Sequence, residues 1–369
     1  MVSYVRRGGS LRAAARRFAC SVRTVWLWVQ RAQGRRLDRV DWTDRESGPL
    51  RPHNRTTAAV QRLIVRARVR LQRRDALGLC GARRIRAWLQ AHARVPVPSV
   101  RTIERILARH GLLTPPRVRR PPPPAGWYLP LVAAGTAELE QWDLVEGLRL
   151  QGRGAVEVLT CISLWGKLVT AVPGPEPWRL PTLLPTVAQH WQQWGHPDFV
   201  QVDNDTRFAG SSRAPRRLGR FVRACLAAGV VPVFTPPRET GFQARIENFN
   251  GLWQRKVWQR FRHRRWADLH RRNRAFVAAH RAYHARSQET APPRPAHRAA
   301  ADTIIFLRRL DSNGRAYLLG ERVLVQARWA HRLVRCELNV STHALRCFAL
   351  RRREPEHQPL LCMRRFRLR

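Results

Sequence analysis

The stretch Thr114–Pro124, TPPRVRRPPPP, constrains the fold of this chain more than any other. Each proline fixes φ and has no amide hydrogen to offer a helix or a sheet, so the run predicts a stiff, extended spacer. A boundary belongs there, with a Pro-rich linker over residues 114–130. The periodicity of the apolar residues changes across it, from helical spacing before to strand-like runs after.

Ahead of the spacer, Leu11, Ala14, Ala15 and Phe18 fall at i, i+3, i+4 and i+7, the stripe of a short helix. A tight break follows at Ala19-Cys20. Ser21 can cap a second helix, in which Val22, Val25, Trp26 and Val29 repeat the stripe. Two short helices so joined predict a helix-turn-helix unit over residues 1–35, with Arg23, Thr24 and Leu27 facing the major groove of DNA. After a polar, turn-rich passage the pattern recurs over residues 55–113. Ala58–Gln72 and Ala82–His92 are helical, Val95–Pro98 breaks the chain, and Ser99 caps Val100–His110. This second helix-turn-helix exposes Arg101, Arg105 and Arg109.

A basic helix face is usually just a solvated one, but two such units in tandem favour DNA. The charge agrees. Formal net charge is +44, from 69 Lys and Arg against 25 Asp and Glu, which suits a phosphate backbone better than a metabolite. Seven cysteines without a CxxC pair predict no zinc site and a reducing compartment. No run approaches the eighteen apolar residues of a membrane span, and the first residues lack a signal-peptide core, so a soluble, intracellular protein is expected.

Beyond the spacer, Glu138–Arg149 and Ala155–Ala171 read as strands rich in β-branched residues. Leu183–Trp194 reads as a helix, with Pro185 tolerable in its first turn. Phe199–Val202 is a short strand, Leu218–Ala228 a helix, Val230–Thr235 a strand and Ala244–Arg262 a long helix, followed by the helix Trp266–Ala285. Such an order predicts an α/β core with a mixed sheet over residues 131–290. After Pro292–Pro295, Arg322–Gln326, Arg332–Val340 and Ala344–Leu350 alternate polar and apolar. They predict a small, separate β unit of barrel type over residues 300–369.

Three acids stand out within the core. Asp143 lies on or just after a strand, Asp203 where the strand Phe199–Val202 runs out, and Glu247 in the first turn of its helix. Strand ends of α/β sheets present ligands. Like charges repel and raise one another's pKa, so a shared site for these three needs bound cations. Mg²⁺ prefers few carboxylates with waters and phosphate oxygens, and two such ions serve in-line displacement at phosphorus. Asp205 competes with Asp203 as a ligand, and Glu239, in a Pro/Gly loop, competes with Glu247. Arg245, Arg255 and Lys256 flank the Glu helix and would track phosphates.

The blocks EQWD(143)LVEG, VQVD(203)NDTRF and TPPRETGFQARIE(247)NFN resemble the three signatures of the DDE integrase/transposase superfamily. In particular they are similar to bacterial insertion-sequence transposases that share the retroviral-integrase core. The resemblance extends roughly from Leu11 to His297. It implies an RNase H-like fold, Mg²⁺ or Mn²⁺, and transfer of element ends into target DNA. It also implies a homo-multimer on paired DNA ends, in the bacterial cytoplasm at the nucleoid. The chain departs from the family where Asn204-Asp205 stands for Asn-Gly, and where Ser163–Lys167 replaces Asp-x-x-Ser-Arg. AGSSRAPRR forms a basic insertion after Phe208. A decayed element acting only as a DNA-binding regulator would keep the same acids.

Overall fold

The computed structural model of the chain describes residues 1–44, 56–113, 125–150, 152, 154–175, 177–211 and 214–369. The spacer 114–124 lies outside them. The chain forms two compact units, Met1–Ala58 and Ala59–Arg369. The division therefore falls ahead of the second helical set, which belongs with the strands.

In the first unit α1 (Val2–Arg6), α2 (Leu11–Arg17) and α3 (Val22–Ala32) pack on one another. Ser10 and Ser21 cap α2 and α3, their hydroxyls accepting from the amides of Ala13 (3.1 Å) and Thr24 (3.0 Å). Ala19, at φ +48°, makes the break between the two helices. The buried stripe of α3 is not the expected one: Val25 and Ala32 are buried, while Val22 and Trp26 are exposed. The small Ala14 and Ala15 of α2 admit α3 at Val25. Trp28 packs against Trp42 with ring centroids 5.7 Å apart.

The second unit opens with α4 (Ala58–Arg74), α5 (Ala82–His92) and α6 (Val100–Arg109). Ile64, Ala67, Ile85, Leu89, Ile103 and Ile106 form their common core. The loop between α4 and α5 ties them to the sheet region. Leu77 joins the cluster of Val145 and Leu148, and Arg260 donates to the Asp75 carbonyl at 2.9 Å. The linker is also shorter than expected, because Trp127, Tyr128 and Leu129 are buried just before α7 (Pro130–Ala133). Three large side chains leaving water outweigh any tendency of this segment to stay extended.

β1 (Leu139–Leu150), β2 (Gly154–Ser163) and β3 (Val169–Pro175) form an antiparallel meander. α8 (Leu180–Trp194) leads to β4 (Phe199–Val202), parallel to β1. α8 starts three residues earlier than expected, which puts Pro185 in its second turn. After α9 (Thr206–Ala209) and α10 (Arg220–Ala227) comes β5 (Val231–Phe234), parallel to β4. α11 (Ala244–Trp253) passes into one π-helical turn, Gln254–Trp258, and ends short of the expected Arg262. α12 (Trp266–Tyr283) and α13 (Ala285–Glu289) follow.

The strands beyond residue 300 do not close into a separate barrel. β6 (Thr303–Arg309) pairs in parallel with β5, and the short hairpin β7 (Arg315–Leu318) and β8 (Glu321–Leu324) stands apart. β9 (Leu333–Asn339), β10 (Ala344–Ala349) and β11 (Leu360–Arg365) then extend the same sheet. Its order is β11-β10-β9-β6-β5-β4-β1-β2-β3, one mixed sheet of nine strands. The cause is the run Ile304–Leu307, buried throughout, which reads as a strand covered on both faces. Such a strand fits beside β5 and covers an edge that would otherwise stand unpaired.

Candidate metal centre

β1 and β4 run parallel with Gln141 opposite Gln201. Asp143 and Asp203 each stand two residues further on, so they share one face of neighbouring strands, whose spacing is about 4.8 Å. Asp143 still lies within β1, where Thr160 of β2 donates to its carbonyl at 3.0 Å. Asp203 is one residue past β4, and its Oδ1 accepts from the Asp205 amide at 3.0 Å.

Glu247 is exposed in the first turn of α11, and its helix is bonded to β1 on either side of it. The Ile246 amide donates to Gln141 Oε1 at 3.1 Å, and Asn250 Nδ2 donates to Asp143 Oδ2 at 2.8 Å. Gln141 Nε2 in turn donates to the Phe242 carbonyl (2.9 Å) and to Gln201 Oε1 (2.7 Å). The Tyr128 hydroxyl bonds the same Gln201 oxygen at 2.8 Å. Two buried glutamines directly below the aspartates thus fix where α11 begins. Ile246, Phe249, Asn250 and Trp253 form its buried face, and Val257 of the following π-helical turn continues it.

Burial raises the Asp143 pKa to about 6, and the charges of Asp203, Glu247 and Glu146 add to the rise against one backbone hydrogen bond. Asp203 is also raised, first by burial and then by Asp205 and Glu146, with Arg207 working the other way. Both competing acids are engaged by arginines. Asp205 caps α9 through the Arg207 amide (2.8 Å), and both its oxygens take the Arg207 guanidinium, which holds its carboxyl below the usual range. Arg207 also reaches Glu157 and Glu146, the latter aimed by a bulge in β1 at Gly147, φ +75°. Glu239 pairs with Arg309. In the insertion, Arg216 pairs with Glu321 at 2.6 Å.

The donors suit a hard divalent cation: they are oxygens only, and a cation relieves the repulsion that adds to burial in lifting Asp143. The buried Oδ1 of Asn250 has no hydrogen-bond partner beside them. Among the described residues, the ligand atoms that do lie within 4.8 Å of one another belong to Glu140, Cys161 and His190, so the three acids are more open than that. The tighter cluster does not fit a metal. Glu140 already accepts from His190 Nε2 (2.8 Å), Trp142 Nε1 (2.9 Å), Trp191 Nε1 (2.9 Å) and Arg294. Burial holds Cys161 well above its ordinary pKa and so protonated.

Of the residues expected to meet DNA, Arg23, Arg101, Arg105, Arg245 and Arg255 are exposed. Thr24 is half-buried, its hydroxyl 2.7 Å from that of Ser21. Lys256 is half-buried too, with its ammonium packed where a Cβ on Gly78 would stand. Several residues at the centre escaped the sequence reading. Asn250 is one, and the glutamine pair another, although both strands spell Gln-x-Asp. Arg308 of β6 is a third. Its buried guanidinium donates to Asn204 Oδ1, beside Asp203, and to the carbonyls of Thr235 and Tyr317, each at 2.9 Å. Burial lowers its pKa to about 10. The available signal was a charge closing the apolar run TIIFL.

No protein-family model matches the chain, and no curated protein matches it. Among solved structures it is similar to the catalytic core domain of the HTLV-2 integrase in complex with magnesium, in a dimeric form. That likeness has 13% identity and a TM-score of 0.24 over 31% of this chain and 64% of that one. It is also similar to a chain of the simian T-cell lymphotropic virus intasome in complex with PP2A regulatory subunit B56 gamma. There the identity is 14% and the TM-score 0.34, over 78% of this chain and 95% of that one. The chain thus spans under two thirds of the first and nearly all of the second. Likenesses of this depth carry no argument about activity.

Proposed function

We propose that the chain is a DDE-type polynucleotidyl transferase, a transposase or integrase that cuts DNA and joins the cut ends to a target. One observation carries this reading: Asp143 and Asp203 stand at matching positions on neighbouring parallel strands, with the Glu247 helix bonded to the first of them. Asp143, Asp203 and Glu247 would hold Mg²⁺ or Mn²⁺, two ions on the family's pattern. A bound cation supplies Lewis-acid stabilisation of the attacking and leaving oxygens. The chain's own residues do the rest. Asn250 orients the Asp143 carboxylate, and Gln141 and Gln201 set the start of α11. Arg207 holds Asp205 aside, which supports Asp203 as the ligand of the pair.

DNA is read by α3 and α6 as the second helices of two helix-turn-helix units, residues 1–35 and 55–113, through Arg23, Thr24, Arg101 and Arg105. Arg245 and Arg255 meet phosphates beside the acids, and Lys256 does so only by leaving Gly78. Further copies of the chain complete the assembly on paired ends. Strand transfer with Mg²⁺, on DNA carrying the repeats that flank the coding region, tests the reading. The wild type joins ends. Asp143→Asn, Asp203→Asn and Glu247→Gln bind DNA but lose about a thousandfold or more in rate, roughly 4 kcal/mol. Joining by any of these variants sinks the assignment. A wild type that binds and never joins favours the decayed regulator.

A further inference from the structure

Where β6 ends at Arg309 lies a second charged site. An open cleft of about 700 Å³ is lined by Arg309, Arg332, Arg351, Arg352 and Arg353, with only Glu239 and Glu354 against them. Five guanidinium groups against two carboxylates leave the lining at +3. Two of these arginines are held in place by one ring: Arg332 and Arg351 lie 4.7 and 5.3 Å from the centroid of Trp329. Planar, preset guanidinium forks match phosphate oxygens.

One of the two carboxylates comes from elsewhere. Glu239 belongs to the loop between β5 and α11, the loop that leads to Glu247. Its oxygens sit on Arg309 and 3.9 Å from Arg352. Arg352 also donates to the Thr240 carbonyl at 3.2 Å and lies 5.3 Å over the Phe242 ring. The loop so held carries left-handed backbone on both sides of Glu239, at Arg238 (φ +60°) and Gly241 (φ +87°). Arginine there has no local reason to adopt that conformation, so tertiary contacts impose it.

We propose that this cleft is a backbone site for duplex DNA, taking phosphodiester groups on Arg309 and its neighbours, and that Glu239 fills it in the DNA-free protein as an internal anion. This rests on the DNA-processing reading above. A phosphodiester brings two charged oxygens, as the Glu239 carboxylate does, but a duplex brings several such groups at once, and the net +3 remains to be neutralised after Glu239 is bound. Capture of the backbone displaces Glu239 and releases the loop that leads into α11. DNA at the cleft and readiness of the acid site are thereby linked.

The test is fluorescence anisotropy of the full chain with a labelled duplex of arbitrary sequence, across a range of salt. Arg309→Gln with Arg332→Gln should lower the slope of log affinity against log salt by about 2, close to 0.9 for each phosphate left without its arginine. Arg309→Lys with Arg332→Lys should restore most of that slope, which separates charge from folding. Glu239→Gln should tighten binding by about two- to fivefold, the worth of one exposed ion pair. An unchanged slope in the Gln pair, or weaker binding by Glu239→Gln, overturns the cleft while leaving the DNA reading intact. Absence of DNA binding by the wild type overturns that reading itself. Inorganic phosphate at matched ionic strength should not displace the duplex. Displacement by it would mean a free-anion site and end the proposal.

Discussion

Glu140 and Asp143 lie three residues apart on β1, on opposite faces of the strand, and their surroundings are opposite as well. Glu140 is fully buried, and burial alone would raise its pKa, yet Arg294 and His190 outweigh this and hold the carboxyl well below its usual range. Two indole N–H groups complete its shell. Asp143 has one side-chain donor among the described residues, Asn250, and burial, with three other acids adding to it, raises its pKa to about 6. A carboxylate that folding needs is given all its partners. One left short of positive charge, on a face with others like it, is where a cation gains most by binding.

The largest effect should separate the two acids by stability. Glu140→Gln leaves the buried Arg294 guanidinium without its counter-charge and puts a donor in place of one acceptor oxygen for His190 and the two indoles. Breaking a buried pair costs about 3–5 kcal/mol. Asp143→Asn removes repulsion and should leave stability level or slightly higher in metal-free buffer at about pH 7. Urea unfolding of both variants checks this. Equal losses in the two would erase the contrast, and with it the reason to read Asp143 as functional.

Arg308 sharpens the comparison from the cationic side. It is buried without a carboxylate partner among the described residues, held instead by carbonyls and by Asn204, next to Asp203. An isolated buried charge is costly, so its replacement need not destabilise the chain. Arg308→Gln should instead weaken Mn²⁺ binding, read by calorimetry or by loss of the free-ion signal in electron paramagnetic resonance, by about 10- to 100-fold. That range is the cost of losing an outer-shell partner, and Arg308 acts here through Asn204, the neighbour of Asp203, and not on a ligand itself, so the low end of it is expected. Normal Mn²⁺ affinity with reduced stability would make Arg308 a packing residue only.

How far the sequence spoke to each of these sites follows from range. β4, β5, the start of α11 and the face bearing Ile246, Phe249, Trp253 and Val257 are written in local periodicity, and so were readable. The positions of Asp143, Asp203 and Glu247 on their elements were readable for the same reason. What failed depended on pairing between distant segments. TIIFLRR is absent from the strands expected beyond residue 300, and its place beside β5 is fixed only by pairing with that distant edge. Val22 and Trp26 of α3 lie as plausibly on a buried stripe as Val25 does, and only the alanines of α2 decide the phase. The four donors of Glu140 come from β1, α8 and the 294 segment, up to 154 positions away, which no motif records.

The smallest effect is the slope of stability with pH, and it tests the contrast most directly. Folded, metal-free Asp143 titrates near pH 6 against an ordinary 3.8, so the folded state holds this proton more tightly than the unfolded state does. The stability it contributes is complete below about pH 3.8 and is lost as pH rises through about 6. Two pKa units correspond to about 3 kcal/mol at most, and water at the site reduces this to roughly 1–2. Glu140 has the opposite sign: its stabilisation is present above its ordinary 4.5 and is lost as pH falls through its depressed folded value. The stability of Asp143→Asn relative to wild type should therefore climb between about pH 4 and pH 7. Saturating Mg²⁺ at about pH 7 should cancel that climb by stabilising only the wild type. A flat difference across this range, with no response to Mg²⁺, would make Asp143 an ordinary strand-end carboxylate and leave β1 with one special acid instead of two.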